Sequence, residues 1–333
     1  MAVNRSTILV LTVCASARIA ASGDNPGTVR PSNGTHWLLR LPPSRSPVVS
    51  LNTTDNSRHV WNSKTLDYEG KIEQVGSAWT EGIPSGEYVI LSAGIASPRS
   101  AKIVDARRML EFHFVVESGA LYDLKVSPDR TMLAVTATDV LLYDIRTMQL
   151  VRKLPRPILE ASATALAFSP DGKHLIVTYG GDPNNPERGS RPFLISRWRL
   201  TDYQLELTKP CDQVPHDMHV LPDGERIAIV YGPLHLFDFN SLEYLQSTQA
   251  GFDRYEGIRS IDFTPSGSVL LANGQTVGTG MRVVDTRTWQ TIAAMKQPRA
   301  SMNGFFASDG TVVYSNSEDP TTIHRWDWKQ SPK

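Results

Sequence analysis

Short stretches of alternating apolar and polar residues, each bounded by turn-forming residues, run through most of this chain. One pair of stretches covers 165–168 and 174–179, and the second contains the β-branched residues Ile176, Val177 and Thr178. Runs of this length and composition predict two neighbouring β-strands. Between them, Ser169-Pro-Asp-Gly172 predicts a hairpin turn, because proline presets φ, aspartate bonds nearby backbone and glycine accepts a positive φ.

Two further strands complete this unit. The third carries Trp198, and the more polar segment from Leu205 to Lys209 is predicted as a fourth strand at the outer edge of the sheet. Charged residues in such a strand discourage pairing with other chains. The unit therefore predicts a four-stranded antiparallel sheet.

The same unit returns about every forty residues from residue 35 towards the C-terminus. Its turn position holds, in order, Pro43, Pro84, Pro128, Pro170, Pro222, Pro265 and Ser308. A second marker follows each turn, at Trp61-Asn62, Val104-Asp105, Tyr143-Asp144, Trp198-Arg199, Phe237-Asp238, Val284-Asp285 and Trp326-Asp327. A repeat of this length with several strands per unit is typical of a β-propeller, in which no unit buries its apolar faces alone. We therefore predict an all-β fold, a seven-bladed β-propeller of four-stranded antiparallel blades.

The repeat resembles the WD-repeat and YVTN-type propeller families. Tyr143-Asp144 and Trp326-Asp327 stand where the WD-repeat family has its aromatic-Asp dipeptide, and Ser169-Pro-Asp-Gly172 stands where it has its first hairpin turn. The resemblance covers residues 35 to 329 and implies the propeller fold. No Gly-His dipeptide precedes the inner strands. The family's buried Asp-His-Ser/Thr-Trp network is therefore not carried over to any blade, and the chain resembles a divergent member.

Composition and spacing predict one domain at 35–329, with a linker at 23–34 and a tail at 330–333. The chain has 34 Lys and Arg against 34 Asp and Glu, so nothing in its net charge indicates a nucleic-acid partner. It contains no apolar run of the roughly 20 residues that a transmembrane helix needs. We expect a monomer without a transmembrane span.

The N-terminal residues allow two interpretations. A basic residue within 1–5, an apolar stretch at 8–15 and the small residues Ala15-Ser-Ala17 are typical of a signal peptide. On this interpretation residues 1–22 direct export to the periplasm or the extracellular space. The alternative is a cytoplasmic protein in which Thr7 to Val13 supplies the outer strand that the last blade lacks. In an exported protein, Gly27 to Pro31 would supply that strand, or the last blade would have three strands.

Two sequence features suggest metal or nucleophile chemistry. His216-Asp217-Met218-His219 places two imidazoles beside a carboxylate, but His216 and His219 fall on opposite faces of a strand, whereas Asp217 and His219 share a face. We interpret them as a polar pair and predict no metal site. Cys211 lies in a connection between blades and is interpreted as a bystander. We predict no catalytic residue and no cofactor.

Charged residues recur on the same face of other inner strands. They are Arg40, Asp123 with Lys125, and Asp262. They could form a small-ligand site in the central tunnel. We favour ion pairs and hydrogen bonds that hold the fold together, because a ring of mixed charge neutralises itself.

Two loops are the candidate partner surface. One is the insertion at 180–191, with Arg188 and Arg191, and the other is the loop at 251–257, with Phe252, Arg254 and Tyr255. Arginine and aromatic side chains on rigid scaffolds dominate interface energies. We expect a non-enzymatic scaffold that binds a protein or peptide on this loop face. The alternative is a propeller enzyme, a lactonase-like hydrolase or a quinoprotein-like oxidoreductase, with its site at the mouth of the tunnel.

Overall fold

The structure, a computed structural model, is all β. It describes residues 28–29, 36–39, 48–52, 58–62, 65, 67–72, 78–82, 88–93, 100–105, 110–115, 123–147, 149–159, 161–180, 193–212, 215, 217–253, 256–274, 280–295, 304–307, 309–316 and 323–329. No helix occurs among these residues, so none of them forms a helix that could cross a membrane.

The described strands form four-stranded antiparallel sheets, numbered in chain order after the short strand β1 (Thr28–Val29). Sheet 1 contains β2 (His36–Leu39), β3 (Val48–Asn52), β4 (Arg58–Trp61) and β5 (Tyr68–Ile72). Sheet 2 contains β6 (Ala78–Gly82), β7 (Tyr88–Ala93), β8 (Ser100–Asp105) and β9 (Leu110–Val115). Sheet 3 contains β10 (Leu124–Val126), β11 (Met132–Thr136), β12 (Val140–Asp144) and β13 (Leu150–Leu154).

The later sheets follow the same plan. Sheet 4 contains β14 (Ser162–Phe168), β15 (His174–Gly180), β16 (Phe193–Arg199) and β17 (Gln204–Cys211). Sheet 5 contains β18 (Asp217–Val220), β19 (Arg226–Val230), β20 (Leu234–Asp238) and β21 (Tyr244–Thr248). Sheet 6 contains β22 (Ile258–Phe263), β23 (Val269–Gly274), β24 (Met281–Asp285) and β25 (Thr291–Met295). Sheet 7 contains β26 (Gly304–Phe306), β27 (Val313–Asn316), β28 (Ile323–Trp326) and β1.

The strands predicted around the Ser169 turn are confirmed, with slightly wider bounds. The predicted stretches 165–168, 174–179 and 205–209 fall within β14, β15 and β17. Trp198 lies in β16, as expected for the third strand. The prediction of an all-β fold of antiparallel sheets is also confirmed.

The outer strand of sheet 7 comes from the N-terminal part of the chain. Thr28 pairs with His324 and Val29 with Ile323, so β1 is antiparallel to β28. This strand lies within Gly27 to Pro31, one of the two segments considered from the sequence. The other segment, Thr7 to Val13, lies outside the described residues.

Neighbouring sheets touch through their first strands. The contacts run from β2 to β6, β6 to β10, β10 to β14, β14 to β18, β18 to β22 and β22 to β26. The strand β27 of sheet 7 contacts β2 of sheet 1. The sheets therefore lie side by side, with the first strand of each facing its neighbours.

Apolar side chains fill the space between neighbouring sheets. One cluster joins Leu142 of sheet 3 to Leu166 and Trp198 of sheet 4, and another joins Ile176 of sheet 4 to Phe237 of sheet 5. The same pattern continues between sheets 5 and 6 and between sheets 6 and 7. Each of sheets 4, 5 and 6 therefore buries both of its faces, which explains why their second strands are mostly apolar.

The second repeat marker is a turn between the third and fourth strands. The Oδ1 atom of Asp144 accepts hydrogen bonds from the backbone N–H of Thr147 at 2.7 Å and from its hydroxyl at 2.9 Å. Asp238 binds Ser241 in the same way, and Asp285 binds Thr288. These bonds lower the pKa of each aspartate, first of all through the backbone N–H. The marker is therefore structural.

Sheet 4 has the corresponding turn with a different pair of residues, a basic residue first and an acidic residue three positions later. Arg199 replaces the aspartate, and its guanidinium binds the carboxylate of Asp202 at 2.7 Å. This pair lowers the pKa of Asp202, with the hydrogen bond from Arg199 as the main cause. The departure from the aromatic-Asp pattern therefore preserves a polar contact across the turn.

The first hairpin turns contact one another from sheet to sheet. Within one turn, the N–H of Gly172 donates to the carbonyl of Ser169 at 2.9 Å, with a φ of 70° at the glycine. In sheet 6 a Cβ atom at Gly267 would lie 2.8 Å from two ring atoms of Pro222, which belongs to the turn of sheet 5. The proline of one turn therefore lies against the glycine of the next between sheets 3 and 4, 5 and 6, and 6 and 7, but not at Gly224 in the turn of sheet 5.

Gly267→Ala should destabilise the protein more than Gly224→Ala. Both glycines have left-handed φ values, 70° and 72°, so each substitution costs about 1 to 2 kcal/mol in backbone conformation. A Cβ at Gly224 meets nothing within 4 Å, whereas a Cβ at Gly267 collides with the Pro222 ring. We expect Gly267→Ala to lose a further 1 to 3 kcal/mol, roughly, in urea unfolding. Equal losses would show that the turns do not pack as described.

Candidate functional site

The charged residues of the inner strands hold neighbouring sheets together. Asp123 directly precedes β10, and its Oδ1 accepts the N–H of Leu124 at 2.8 Å. Its Oδ2 accepts the N–H of Leu166 in sheet 4 at 3.0 Å. Lys125 adds an ion pair to the same carboxylate at 3.6 Å. One side chain therefore binds backbone groups of two sheets.

Asp217 repeats this arrangement two sheets later. Its Oδ1 accepts the N–H of Met218 at 3.0 Å, and its Oδ2 accepts the N–H of Ile261 in sheet 6 at 2.9 Å. His219 takes the place of the lysine, with Nε2 3.1 Å from Oδ1 of Asp217. The aspartate therefore joins sheets 5 and 6 as Asp123 joins sheets 3 and 4.

Sheets 6 and 7 are joined by two polar side chains. Oδ2 of Asp262 accepts the N–H of Phe306 at 2.8 Å. The side-chain amide of Asn273 binds both backbone groups of Gly304, donating to its carbonyl at 3.0 Å and accepting from its N–H at 2.9 Å. Asn273 was not identified from the sequence, because a lone asparagine at the end of a strand carries no recognisable pattern.

These contacts favour the structural interpretation of the polar inner strands. A first strand has no neighbouring strand on its inner side, so its backbone N–H groups need other acceptors. The three aspartates supply them. The ion pair expected for Asp123 with Lys125 and the polar contact expected for Asp217 with His219 are both present. Arg40, the remaining member of the predicted set, lies outside the described residues.

The His216 to His219 segment forms a polar pair in its described part. Asp217 and His219 contact each other, as their shared strand face predicts. His216 lies outside the described residues. Across the part of the chain that the structure describes, no three His, Cys, Asp or Glu side chains are grouped so as to hold a metal ion.

A second polar network joins sheets 4 and 5 near their outer strands. Arg197 and Arg199 both bind Glu206, each at 2.9 Å. Arg197 also donates to the carbonyls of Phe239 at 2.9 Å and Asn240 at 2.5 Å, in the turn of sheet 5. The alternation of two arginines in β16 was visible in the sequence. The shared carboxylate and the contact with the next sheet depend on register and packing.

Phe252 packs in the core at the base of its loop. Its side chain is 4% exposed and belongs to the core between sheets 5 and 6. The guanidinium of Arg282 lies 4.8 Å from the centre of its ring. The other candidate partner residues, Arg188, Arg191, Arg254 and Tyr255, lie outside the described residues.

The base of the 251–257 loop is fixed by hydrogen bonds. The N–H of Asp253 donates to the carboxylate of Glu256 at 2.8 Å, and the N–H of Glu256 donates to the carbonyl of Asp253 at 2.9 Å. The N–H of Ile258 then bonds to the carbonyl of Gly232 at 2.7 Å. The described residues on both sides of 254 and 255 are therefore held by sheets 5 and 6.

The sequence predicted Cys211 in a connection between blades, but Cys211 is the last residue of β17 and lines a cleft on the outer side of sheets 4 and 5. The cleft has a volume of about 390 Å³, and its lining includes the ion pair of 3.3 Å between Lys209 and Glu243. Phe237 and Tyr244 form part of its wall, with ring centres 5.8 Å apart. Charged and aromatic groups are mixed in this wall, and the cleft lies away from the inner strands.

Tyr231 and His235 form a stacked pair that the sequence did not reveal. Their ring centres are 4.0 Å apart and their planes differ by 14°. Burial, with a contribution from Asp212 and Cys211, raises the pKa of Tyr231 to about 12. Burial lowers the pKa of His235, and neither ring nitrogen has a hydrogen-bond partner among the described residues. The pair is a neutral aromatic contact at the end of sheet 5.

Comparison with known proteins adds no family assignment. No protein-family model matches this chain, and no curated protein is significantly similar to it. The site therefore has to be interpreted from its own geometry.

Asp217→Ala should destabilise the protein, because two backbone N–H groups would lose their hydrogen-bond acceptor. Met218 and Ile261 would lose a charged acceptor for their N–H groups, which is worth about 1.5 to 3 kcal/mol. Glu243→Ala is the control, because its side chain makes an ion pair with Lys209 at the surface, worth about 0.2 to 1 kcal/mol. Urea unfolding of both variants tests this, and equal losses would contradict the role of Asp217 between sheets.

His235→Phe should reduce the loss of stability in mild acid. Because burial lowers the pKa of His235 in the folded state, the unfolded chain binds more protons there, and stability falls as pH drops below about 6.5. Phenylalanine keeps a ring beside Tyr231 without a titrating group. Unfolding free energies between pH 7.5 and 5 should therefore decline less in the variant. An identical pH profile for His235→Phe and wild type would refute this role.

Proposed function

We propose that this protein is a seven-bladed β-propeller of the divergent WD-repeat-like type, exported from the cell, that serves as a non-enzymatic scaffold for a protein or peptide partner. The partner would bind the face that carries the loops between second and third strands and between blades. Arg188, Arg191, Arg254 and Tyr255 are the proposed contact residues, and Phe252 would support them.

The contacts between sheets support the propeller. First strands meet in succession from sheet 1 to sheet 7, and β27 meets β2. A ring needs this last contact, because a row of sheets would leave its two end sheets apart. Pairing of β1 with β28 supports it further, since one blade then contains both the earliest and the latest described strands. A blade built from both of these strands would help to keep the ring closed.

The inner polar residues support a scaffold over an enzyme. Carboxylates that act on a substrate must be available to it. Asp123, Asp217 and Asp262 each bind backbone of a neighbouring sheet, so removing these bonds to bind a ligand would loosen the contact between sheets. Their chemistry fits cohesion of the ring.

The anchored base of the 251–257 loop carries the proposal. Two hydrogen bonds join Asp253 and Glu256, and Phe252 is buried beneath Arg282. The described residues on either side of positions 254 and 255 are held in this way and lose little conformational freedom on binding, which favours affinity. Arg254 and Tyr255 are of the residue types that most often dominate such interfaces.

A pull-down with the native protein tests the function. Recovery of one specific protein partner supports the scaffold, whereas a bound cofactor or metal in the purified native protein would support the enzyme alternative instead. The intact mass of the same sample tests export. A chain beginning near Arg18 or Gly23 would still contain β1, whereas an unprocessed chain in the cytoplasm would refute export.

Replacing Arg254 and Tyr255 together by alanine should weaken binding of the recovered partner at least tenfold. Tenfold is about 1.4 kcal/mol, which is less than two central interface residues can supply. Calorimetric titration measures the affinity, and the melting temperature should stay unchanged.

The matched control replaces Arg146 and Tyr244 by alanine. Both side chains are exposed, and they lie in the turn and outer strand of sheets 3 and 5, away from the loop. This variant should bind as wild type does. Equal effects of the two double variants would place the interface elsewhere, and a loss of stability in the first would show that Tyr255 is a packing residue.

A further inference from the structure

The fourth strand of sheet 2 differs from its counterparts in the regularity of its pairing. In sheets 1, 3, 4, 5 and 6, the third and fourth strands change register at a bulge, at Val60/Trp61, Leu142/Tyr143, Arg197/Trp198, Leu236/Phe237 and Val283/Val284. In sheet 2 the pairing runs without a shift from Ser100 opposite Val115 to Asp105 opposite Leu110. β9 is therefore a regular edge strand of six residues.

The sequence of β9 also lacks the residues that protect other outer strands. Bulges, lysine and proline on an edge strand discourage pairing with another chain. β13 contains Arg152 and Lys153, and β17 contains Lys209 and Pro210. β9 reads Leu-Glu-Phe-His-Phe-Val, with no lysine, arginine, proline or glycine. β21 and β25 also lack these residues, but each pairs with its neighbour across a bulge. Among the described strands β9 pairs only with β8.

We propose that this edge pairs with the β9 edge of a second copy of the chain, forming a two-fold symmetric dimer with a continuous sheet across the interface. This dimer is an alternative to the monomer expected from the sequence. In a two-fold interface the same strand meets itself in antiparallel orientation. The backbone hydrogen bonds of the two edges then satisfy each other, as in β-strand addition.

The order of residues in β9 selects one register for this dimer. When the pairing is centred on Phe112, residue 111 of one copy lies opposite residue 113 of the other, and residue 110 lies opposite residue 114. Glu111 is then opposite His113 twice, and Leu110 is opposite Phe114 twice. A register centred on Glu111 instead places two glutamates opposite each other, which is unfavourable. The complementarity of the strand with itself is the reason for choosing a second copy as the partner.

Charge reversal at the two polar positions tests the dimer. Sedimentation velocity of the full chain, from about 1 to 200 µM, should show concentration-dependent dimerisation of the wild type. Glu111→Lys removes the carboxylate opposite His113, and His113→Glu places two glutamates opposite each other, in both cases at two symmetric positions. Each change should therefore weaken dimerisation by at least about tenfold. Circular dichroism and melting temperature check that the variants remain folded.

Restoration of pairing distinguishes the proposed register from a general loss of structure. In the double variant Glu111→Lys with His113→Glu, the lysine at 111 of one copy lies opposite the glutamate at 113 of the other. This variant should dimerise within about threefold of wild type. An equimolar mixture of the two single variants should form the mixed dimer, for the same reason. Gln246→Lys, on the exposed outer strand of sheet 5, is the control and should leave dimerisation unchanged.

Three results would overturn the proposal. They are a wild-type monomer at every concentration, single variants that dimerise as wild type does, and a double variant that dimerises as weakly as the single variants.

Discussion

An inner strand at the edge of a sheet has backbone N–H groups that no neighbouring strand can bind, and the structure of this protein depends on how those groups are satisfied. Asp123, Asp217 and Asp262 each place a carboxylate on an N–H of the next sheet, 43 or 44 residues further along the chain. Charged acceptors make these bonds stronger than bonds between neutral groups. The same bonds therefore satisfy the strand edge and set the distance between neighbouring sheets.

Sheet 4 meets the same constraint differently. The positions of Asp123 and Lys125 correspond to Ala165 and Ala167, which pack in the apolar cluster with Met218 of sheet 5. Here the polar connection to the next sheet is made near the outer strands, where Arg197 binds the carbonyls of Phe239 and Asn240. Sheet 4 thus has an apolar contact at its inner strand and a polar contact near its outer strand, whereas sheets 3 and 5 use an aspartate at the inner strand.

This use of polar residues has a functional consequence. The acidic side chains of the inner strands are engaged between sheets, so the surfaces that we propose for a partner are a loop and an outer strand. The 251–257 loop has a fixed base, and β9 pairs only with β8 among the described strands. These two surfaces lie on different parts of the protein, so a partner on the loop face and a second copy at β9 could bind together.

The sequence by itself determined the local elements of the fold. Turn residues at a fixed spacing and apolar alternation predicted β14, β15 and β17 to within a few residues, because φ preferences and strand periodicity are properties of neighbouring residues. Strand alternation also predicted that Asp217 and His219 would contact each other. Only the tertiary structure decided what these elements touch. The contact of Gly267 with Pro222, the two arginines on Glu206, and the use of β1 in sheet 7 join residues that are far apart in sequence. Their geometry depends on how whole sheets pack, and no local pattern encodes that.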